Sequence, residues 1–262
     1  MSNIDAVNAL ISAINLDRFA EIEARHAPDV TFWSFRGPTL HNSVAVHDWH
    51  TRFLRDYADC NYADLEYVEQ DNTVAVRATV YAKGYDWRPF TQRVIEVFRM
   101  DEEGLVGDRR LYAMLPNLEL DKAPTAAMTN ATGFKGGSDS ATKAAIDALF
   151  SGDKEAAAAV IDEKAVLIDT VYGITAGPAN ILDLIDRVPR PAFGQLRVTH
   201  AYIGPKDACV EVAIDPNRPR QAHWIRIVEG KVMVIETYWM LREIGVSLEN
   251  PQRHQRQVIL PI

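Results

Sequence analysis

Only two cysteines, Cys60 and Cys209, occur in 262 residues, and they stand in unlike surroundings with no C-x-x-C or Cys/His ligand spacing. Neither a disulfide framework nor a zinc site is expected. Positive charge is in deficit, with 28 Lys and Arg against 36 Asp and Glu and a formal net charge of -8. Without a sustained basic run to neutralise phosphates, nucleic acid is not an expected partner. Apolar runs fall far short of the roughly 18 residues that span a bilayer, so no membrane partner is expected. Met1-Ser2-Asn3-Ile4-Asp5 also lacks the regions of a signal peptide, which points to a cytoplasmic protein. No glycine-rich phosphate cradle, Schiff-base motif or metal cluster is found, so no cofactor is expected and side chains would have to supply any catalysis.

What is present is a globular composition, 47% apolar and 24% charged, written twice. Shifting the first 50 residues forward by 136 places lays Asn15 to Arg18 on Ser151 to Lys154, Val30 to Phe32 on Val166 to Ile168, and Gly37 on Gly173. Later the offset is 126, laying Gly104 on Gly230 and Tyr112 on Tyr238. The expected division is a first domain over 1–118, a linker over 119–139, a second domain over 140–244 and a tail over 245–262. Each half reads as three helices followed by β segments. The helices are carried by Val7, Leu10, Ile11 and Ile14, then Phe19 to His26 and Ser43 to Tyr57, with counterparts at Ala145 to Phe150, Glu155 to Ile161 and Ala179 to Arg187. Strands are expected at Val30 to Phe35, Thr73 to Lys83, Phe90 to Met100 and Leu105 to Leu115. In the second half they are expected at Val166 to Val171, Leu196 to Gly204, Cys209 to Asp215, His223 to Val228 and Lys231 to Leu241. This is an α+β class chain, two tandem cones of helices packed on a curved antiparallel sheet. Pro116 to Ser140 reads as a linker. The apolar end of the tail, Val258 to Ile262, is expected to dock on the other domain or on a second subunit.

Gly152-Asp153, the spacing from there to Asp169, Ala176-Gly177-Pro178-Ala179-Asn180-Ile181, and Val94 to Gly104 together resemble the nuclear-transport-factor-like superfamily. That group contains ketosteroid isomerase, the SnoaL-like polyketide cyclases, scytalone dehydratase and limonene epoxide hydrolase. The resemblance covers roughly residues 5 to 115 and 140 to 242 and implies tandem cone-shaped α+β barrels. It puts a general base at Asp169, an oxyanion donor at His223 and a second carboxylate at Glu96, while Trp33 holds the base position of the first half. Neither half has the family's tyrosine on the first helix, Ala145 standing there in the second. The cyclase acid and the epoxide-hydrolase Arg/Asp pair are also missing.

Read as residues, Asp169 lies in an apolar strand where burial would suit it to general-base work, or else caps the following turn. His223 is either a hydrogen-bond donor to a developing oxyanion or a structural histidine. Glu96 sits among Val94, Ile95, Val97 and Phe98, where an ionised carboxylate needs a proton or an arginine. Arg77 and Arg109 are the candidate partners. His50 lies on the helical stripe Val46, His50, Phe53, Tyr57, as core or as catalyst, and His47-Asp48-Trp49-His50 is a weak metal pattern.

Fifteen of the 23 aromatic residues precede Ala126. Trp33, Phe35, Phe53, Tyr81 and Trp87, with Arg109, and Trp239 in the second half, are the expected substrate-binding residues, lining cones suited to a flat apolar small molecule. The expected function is a cofactor-independent lyase or isomerase, its concrete form an elimination or retro-aldol cleavage of a lignin-derived diaryl compound. The alternatives are a ligand-binding or assembly module and a hydrolase or cyclase of the same superfamily. Tyr112 and Tyr238 are expected on the convex sheet face, where a homo-oligomer would form through sheet faces, or through the tail.

Overall fold

The computed structural model describes residues 2–35, 37–83, 89–114, 139–169, 173–187, 197–213, 215 and 218–240. Trp87, most of the expected linker and the C-terminal tail lie outside these residues. The chain divides into two compact units, one within Met1–Pro116 and one within Asn117–Trp239.

In the first unit, α1 (Asn3–Asn15) starts at a capping box in which Ser2 and Asp5 satisfy each other's backbone N–H groups, and it buries Val7, Leu10, Ile11 and Ile14. Each such burial contributes about 1.5–3 kcal/mol. Then follow α2 (Phe19–Ala24), β1 (His26–Trp33), β2 (Leu40–His41), α3 (Ser43–Asp56), β3 (Ala58–Gln70), β4 (Thr73–Lys83), β5 (Pro89–Met100) and β6 (Val106–Ala113). Asn42 caps α3 by accepting from the Ala45 N–H. Strand order is β3-β4-β5-β6-β1-β2, antiparallel except for the parallel β6/β1 pair.

The second unit runs α4 (Asp139–Leu149), α5 (Lys154–Val160), β7 (Ile161–Asp169), β8 (Gly173–Ala176), α6 (Pro178–Arg187), β9 (Arg197–Ile203), β10 (Asp207–Ala213), β11 (Gln221–Val228) and β12 (Lys231–Trp239). Its order, β9-β10-β11-β12-β7-β8, again has one parallel pair, β12/β7. Ala145, Ile146 and Leu149 of α4 and Ile181 of α6 pack with Leu167, Val210, Ile225 and Ile235 in one core. The β11/β12 hairpin turns on Glu229 and Gly230, both with positive φ, the conformation that two-residue hairpin loops demand.

Several expected boundaries move. The helix expected over Phe19 to His26 ends at Ala24, and His26 opens β1 instead; Pro28 pushes the residue before it into extended backbone. In the second unit the strand expected from Val166 begins at Ile161, the last residue of the expected helix. Asp139 and Ser140, expected in the linker, begin α4. The 13-residue β3 was not anticipated at all. Its register shifts at two places, with positive φ at Asp59 and Asp64, and these irregularities hide the two-residue alternation that marks a strand. Among the described residues no helix is long and apolar enough to cross a membrane.

Candidate functional site

Strand register decides which side chains meet, because neighbours across a ladder point to the same face. In the first unit Phe32, Arg109 and Phe98 form one cross-strand row, and Leu111, Glu96, Val76 and Tyr67 form another on the same face. The Tyr67 hydroxyl bonds Asn8 of α1, so this is the helix-covered face. Arg77 pairs with Ile95 and therefore points the other way, where it meets Glu66 at 2.8 Å. Arg109 is the partner of Glu96.

Glu96 and Arg109 are 1% and 0% exposed, and the guanidinium Nε donates to Glu96 Oε1 at 2.6 Å. Arg109 also lies 4.7 Å from the Phe32 ring centroid and 5.4 Å from that of Phe98, aromatic faces that favour a cation. Its Nη1 reaches His50 Nε2 at 3.0 Å and His26 Nε2 at 3.4 Å. In both histidines Nδ1 faces a backbone carbonyl, Ile22 O at 2.7 Å and Val46 O at 2.9 Å. A carbonyl can only accept, so the proton of each neutral ring is assigned to Nδ1 and each Nε2 accepts from Arg109. Burial, then the Arg109 charge, pushes His26 down to about 3 and holds His50 well below its ordinary value. Burial raises Glu96 above the ordinary carboxylate range, and Arg109 draws it back only in part. Burial and then the Glu96 charge hold Tyr62 well above a normal phenol, so it is neutral. The Cys60 thiol, buried and near Asp17 and Glu96, rises to about 12.

Two buried polar atoms in this cluster have no hydrogen-bond partner, Glu96 Oε2 and Arg109 Nη2. The Tyr62 hydroxyl stands beside the same arginine.

The second unit gathers Asp169, Thr237 and His223 in one cross-strand row. Asp169 and His223 are two strand spacings apart, about 9.6 Å. Asp169 Oδ1 accepts from Trp239 Nε1 at 3.2 Å, and His223 Nδ1 lies 3.1 Å from Thr237 Oγ1. Burial against neighbours such as Phe150 brings His223 down to about 4, so it is a neutral ring. His223 faces Thr237 as Glu96 faces Leu111, which places these two residues at corresponding points of their sheets.

Other expected site residues lie elsewhere. Trp33 pairs with Arg110, and because alternate residues flip face it points away from Glu96; continuing that register puts the buried Ser34 beside Leu111. Tyr81 is 44% exposed and bonds Asp64, so it lines no interior. Phe53 is half-buried in a ladder with Trp49 and Tyr57 along α3, while Leu54 takes the buried place expected for it. Phe35 is buried just beyond β1. His47 turns to Phe19 and Asp48, whereas His50 points to Arg109; the metal pattern is not assembled. Tyr112 and Tyr238 are on the faces opposite Glu96 and His223, and both are fully buried.

Sequence reasoning missed His26 and Tyr62. His26 was read as a helix end, and Tyr62 falls in the strand that was not anticipated. The signal for Tyr62 is the buried alternation of Cys60 and Tyr62 in β3.

Residues 7–107 match the family described as the SnoaL-like domain. Over this segment, less than half of its length, the chain is similar to that family. Among solved structures, a protein of Xanthomonas campestris pv. campestris, provisionally named a polyketide cyclase, is 16% identical; the match covers 42% of this chain and 88% of that one, with a TM-score of 0.40. A Burkholderia pseudomallei K96243 protein of unknown function, described as NTF2-like, is 21% identical over 43% of this chain and 92% of its own, with a TM-score of 0.39. A Catenulispora acidiphila DSM 44928 protein with a ketosteroid isomerase-like fold, in complex with trimethylamine, is 16% identical over 41% and 83%, with a TM-score of 0.39. A search of curated proteins gave no match.

Proposed function

We propose that the SnoaL-like unit is a cofactor-independent acid/base enzyme, a lyase or isomerase, acting on a small, apolar, aromatic molecule that carries an oxygen function. The observation that carries this reading is Glu96, fully buried, raised in pKa, fixed through one oxygen by Arg109 and unpartnered at the other. A general base needs a fixed carboxylate with a lone pair to spare and a pKa moved towards neutrality. Arg109 Nη2 is placed to stabilise the oxygen on which negative charge develops.

In an elimination, Glu96 Oε2 takes the proton from carbon, its electron pair becomes the new double bond, and the C–O bond to the leaving hydroxyl breaks. In a retro-aldol cleavage, Glu96 takes the hydroxyl proton, the O–H pair becomes the carbonyl of the small product, and the broken C–C pair passes into the conjugated ring system. Glu96 then gives up its proton, to the departing hydroxide as water in the elimination and to the oxygen of the conjugated ring system in the cleavage. A phenolic diaryl compound of lignin origin provides the sink for the second route once loss of water, from its benzylic hydroxyl and its phenol proton, has turned it into a quinone methide. Phe32 and Phe98 supply an aromatic surround. In the same reading, residues 1–118 and 140–244 are two cones of one tandem repeat, the second mainly a scaffold.

A non-catalytic ligand-binding module is the rival, favoured by the completeness of the Arg109 network on its other edges, which a structural ion pair also needs. Turnover of hydroxylated diaryl compounds by wild type and Glu96→Gln separates the two. An enzyme turns over the compound as wild type and loses turnover in the folded variant; a binding module turns over nothing in either form.

A further inference from the structure

We infer that α3 is a lid over the Glu96–Arg109 pair, latched to the sheet by His50, and that acid releases the latch. The inference rests on the proposed function for what passes beneath the lid, and on the packing of α3 alone for its movement.

Glu96 and Arg109 are 1% and 0% exposed, so no solute touches them while the helices are seated. A base acting on a substrate needs one covering element to move. α1 is firmly held. It buries Val7, Leu10, Ile11, Ala13 and Ile14, and it is tied to β3 by hydrogen bonds of Asn15 with the Tyr62 backbone and of Asn8 with the Tyr67 hydroxyl. The longer α3 buries only Val46, His50 and Leu54, and one of these is polar. Its His50 meets Arg109 Nη1 at 3.0 Å, while the His50 and Trp49 rings lie 6.3 and 5.0 Å from that of Phe32, so α3 covers the Phe32–Arg109 row. Its connections are loose at both ends: β2 before it has two residues, and β3 after it shifts register between Ala58 and Asn61. An element with few buried anchors opens before the core does.

Protons act on this latch through its neighbours. The charged and titratable groups acting on the His50 ring are Arg109 of β6, His26 of β1 and His47 of α3 itself. Glu96 of β5 and Tyr62 of β3 are engaged with Arg109. The neutral ring accepts from Arg109; a protonated one sets a second cation 3.0 Å from the guanidinium, with donors facing donors. Seated α3 thus keeps His50 neutral, and raised α3 gives it to water, where it takes a proton near about pH 6.5. Protons bind the raised state, so the opening equilibrium grows about tenfold for each pH unit below that value. His26 accepts from the same nitrogen but belongs to β1, and it holds Arg109 in place when α3 leaves.

Amide hydrogen exchange of the full chain, followed from about pH 7.5 to about pH 5 and expressed as protection relative to an unstructured chain, reads the lid without any substrate. In wild type α3 should be at least about tenfold less protected than α1 and β5 at about pH 7, and should lose about tenfold more for each pH unit below about 6.5. In His50→Leu, with thermal unfolding to confirm the fold, α3 protection should no longer depend on pH. An α3 as protected as β5 in wild type overturns the inference, as does a pH slope unchanged in folded His50→Leu. If His50→Leu does not fold, the wild-type profile alone decides, and an α3 that keeps its protection on acidification overturns the latch. Opening of α3 in a protein without turnover would sink the enzyme reading and leave this one standing; turnover with an α3 that exchanges only together with β5 would do the reverse.

Discussion

The interiors of the two units share one strand order and differ in what two corresponding rows carry. Phe32, Arg109 and Phe98 in the first answer to Leu167, Ile235 and Ile225 in the second, and the row Leu111–Glu96 answers to Thr237–His223. Where the first unit has Arg109 and Glu96, the second thus has Ile235 and His223. Losing one member of a buried ion pair strands the other charge, whereas losing both does not. The second unit instead holds its polar groups by single hydrogen bonds, Trp239 to Asp169 and His223 with Thr237. The same strand order is thus built without the ion pair in the second unit, which is in keeping with the chemical role proposed for the pair in the first.

The harshest way to break the comparison is to put the second unit's residue into the first alone. Arg109→Ile leaves Glu96 buried without its cation and should cost about 3–5 kcal/mol in urea denaturation. Adding Glu96→Leu should restore most of that loss. A double variant no more stable than the single one would mean that the pair is not coupled.

Turnover sharpens the contrast next. Glu96→Gln should lower kcat by about 10²–10⁴-fold, the usual contribution of a positioned base. Asp169→Asn should change it by less than about tenfold. The reverse ranking moves the active site to the second unit.

Acid stability is a smaller effect and touches both units. His26, held down to about 3, and His223, down to about 4, stay neutral in the fold while their unfolded counterparts protonate below about 6.5. Their stabilisation is complete above that pH and is lost as pH falls through the window, by about 1.4 kcal/mol per pH unit for each ring. His223→Phe should lessen the slope between about pH 6.5 and 4 by about 1.4 kcal/mol per pH unit, leaving the contribution of the buried His26 and His50 across that window; denaturation midpoints across that range check it. Tyr81→Ala, at an exposed ring outside the interior, should change stability by no more than about 0.5 kcal/mol and leave turnover alone.

Much of this frame was legible from side-chain pattern. Thr73–Lys83 reads as a strand because its β-branched and apolar residues are interrupted only by Arg77 before Lys83, and α1 because its apolar positions repeat at helical spacing. β3 was not legible, since its bulges and its aspartates break the alternation. Glu96 was visible as a charge in an apolar run, but whether Arg77 or Arg109 answered it depended on cross-strand register, a tertiary property. The same one-residue sensitivity misplaced Trp33, where Ser34 holds the inward position. His26 was hidden at an element boundary, where pattern is weakest.

The most direct measurement is a crystal structure of the protein soaked with benzyl alcohol. The hydroxyl oxygen is predicted within hydrogen-bond distance of both Glu96 Oε2 and Arg109 Nη2, with the ring against Phe32 or Phe98. Ligand density beside Asp169 and His223, with none at Glu96, would contradict the assignment and make the second unit the functional one.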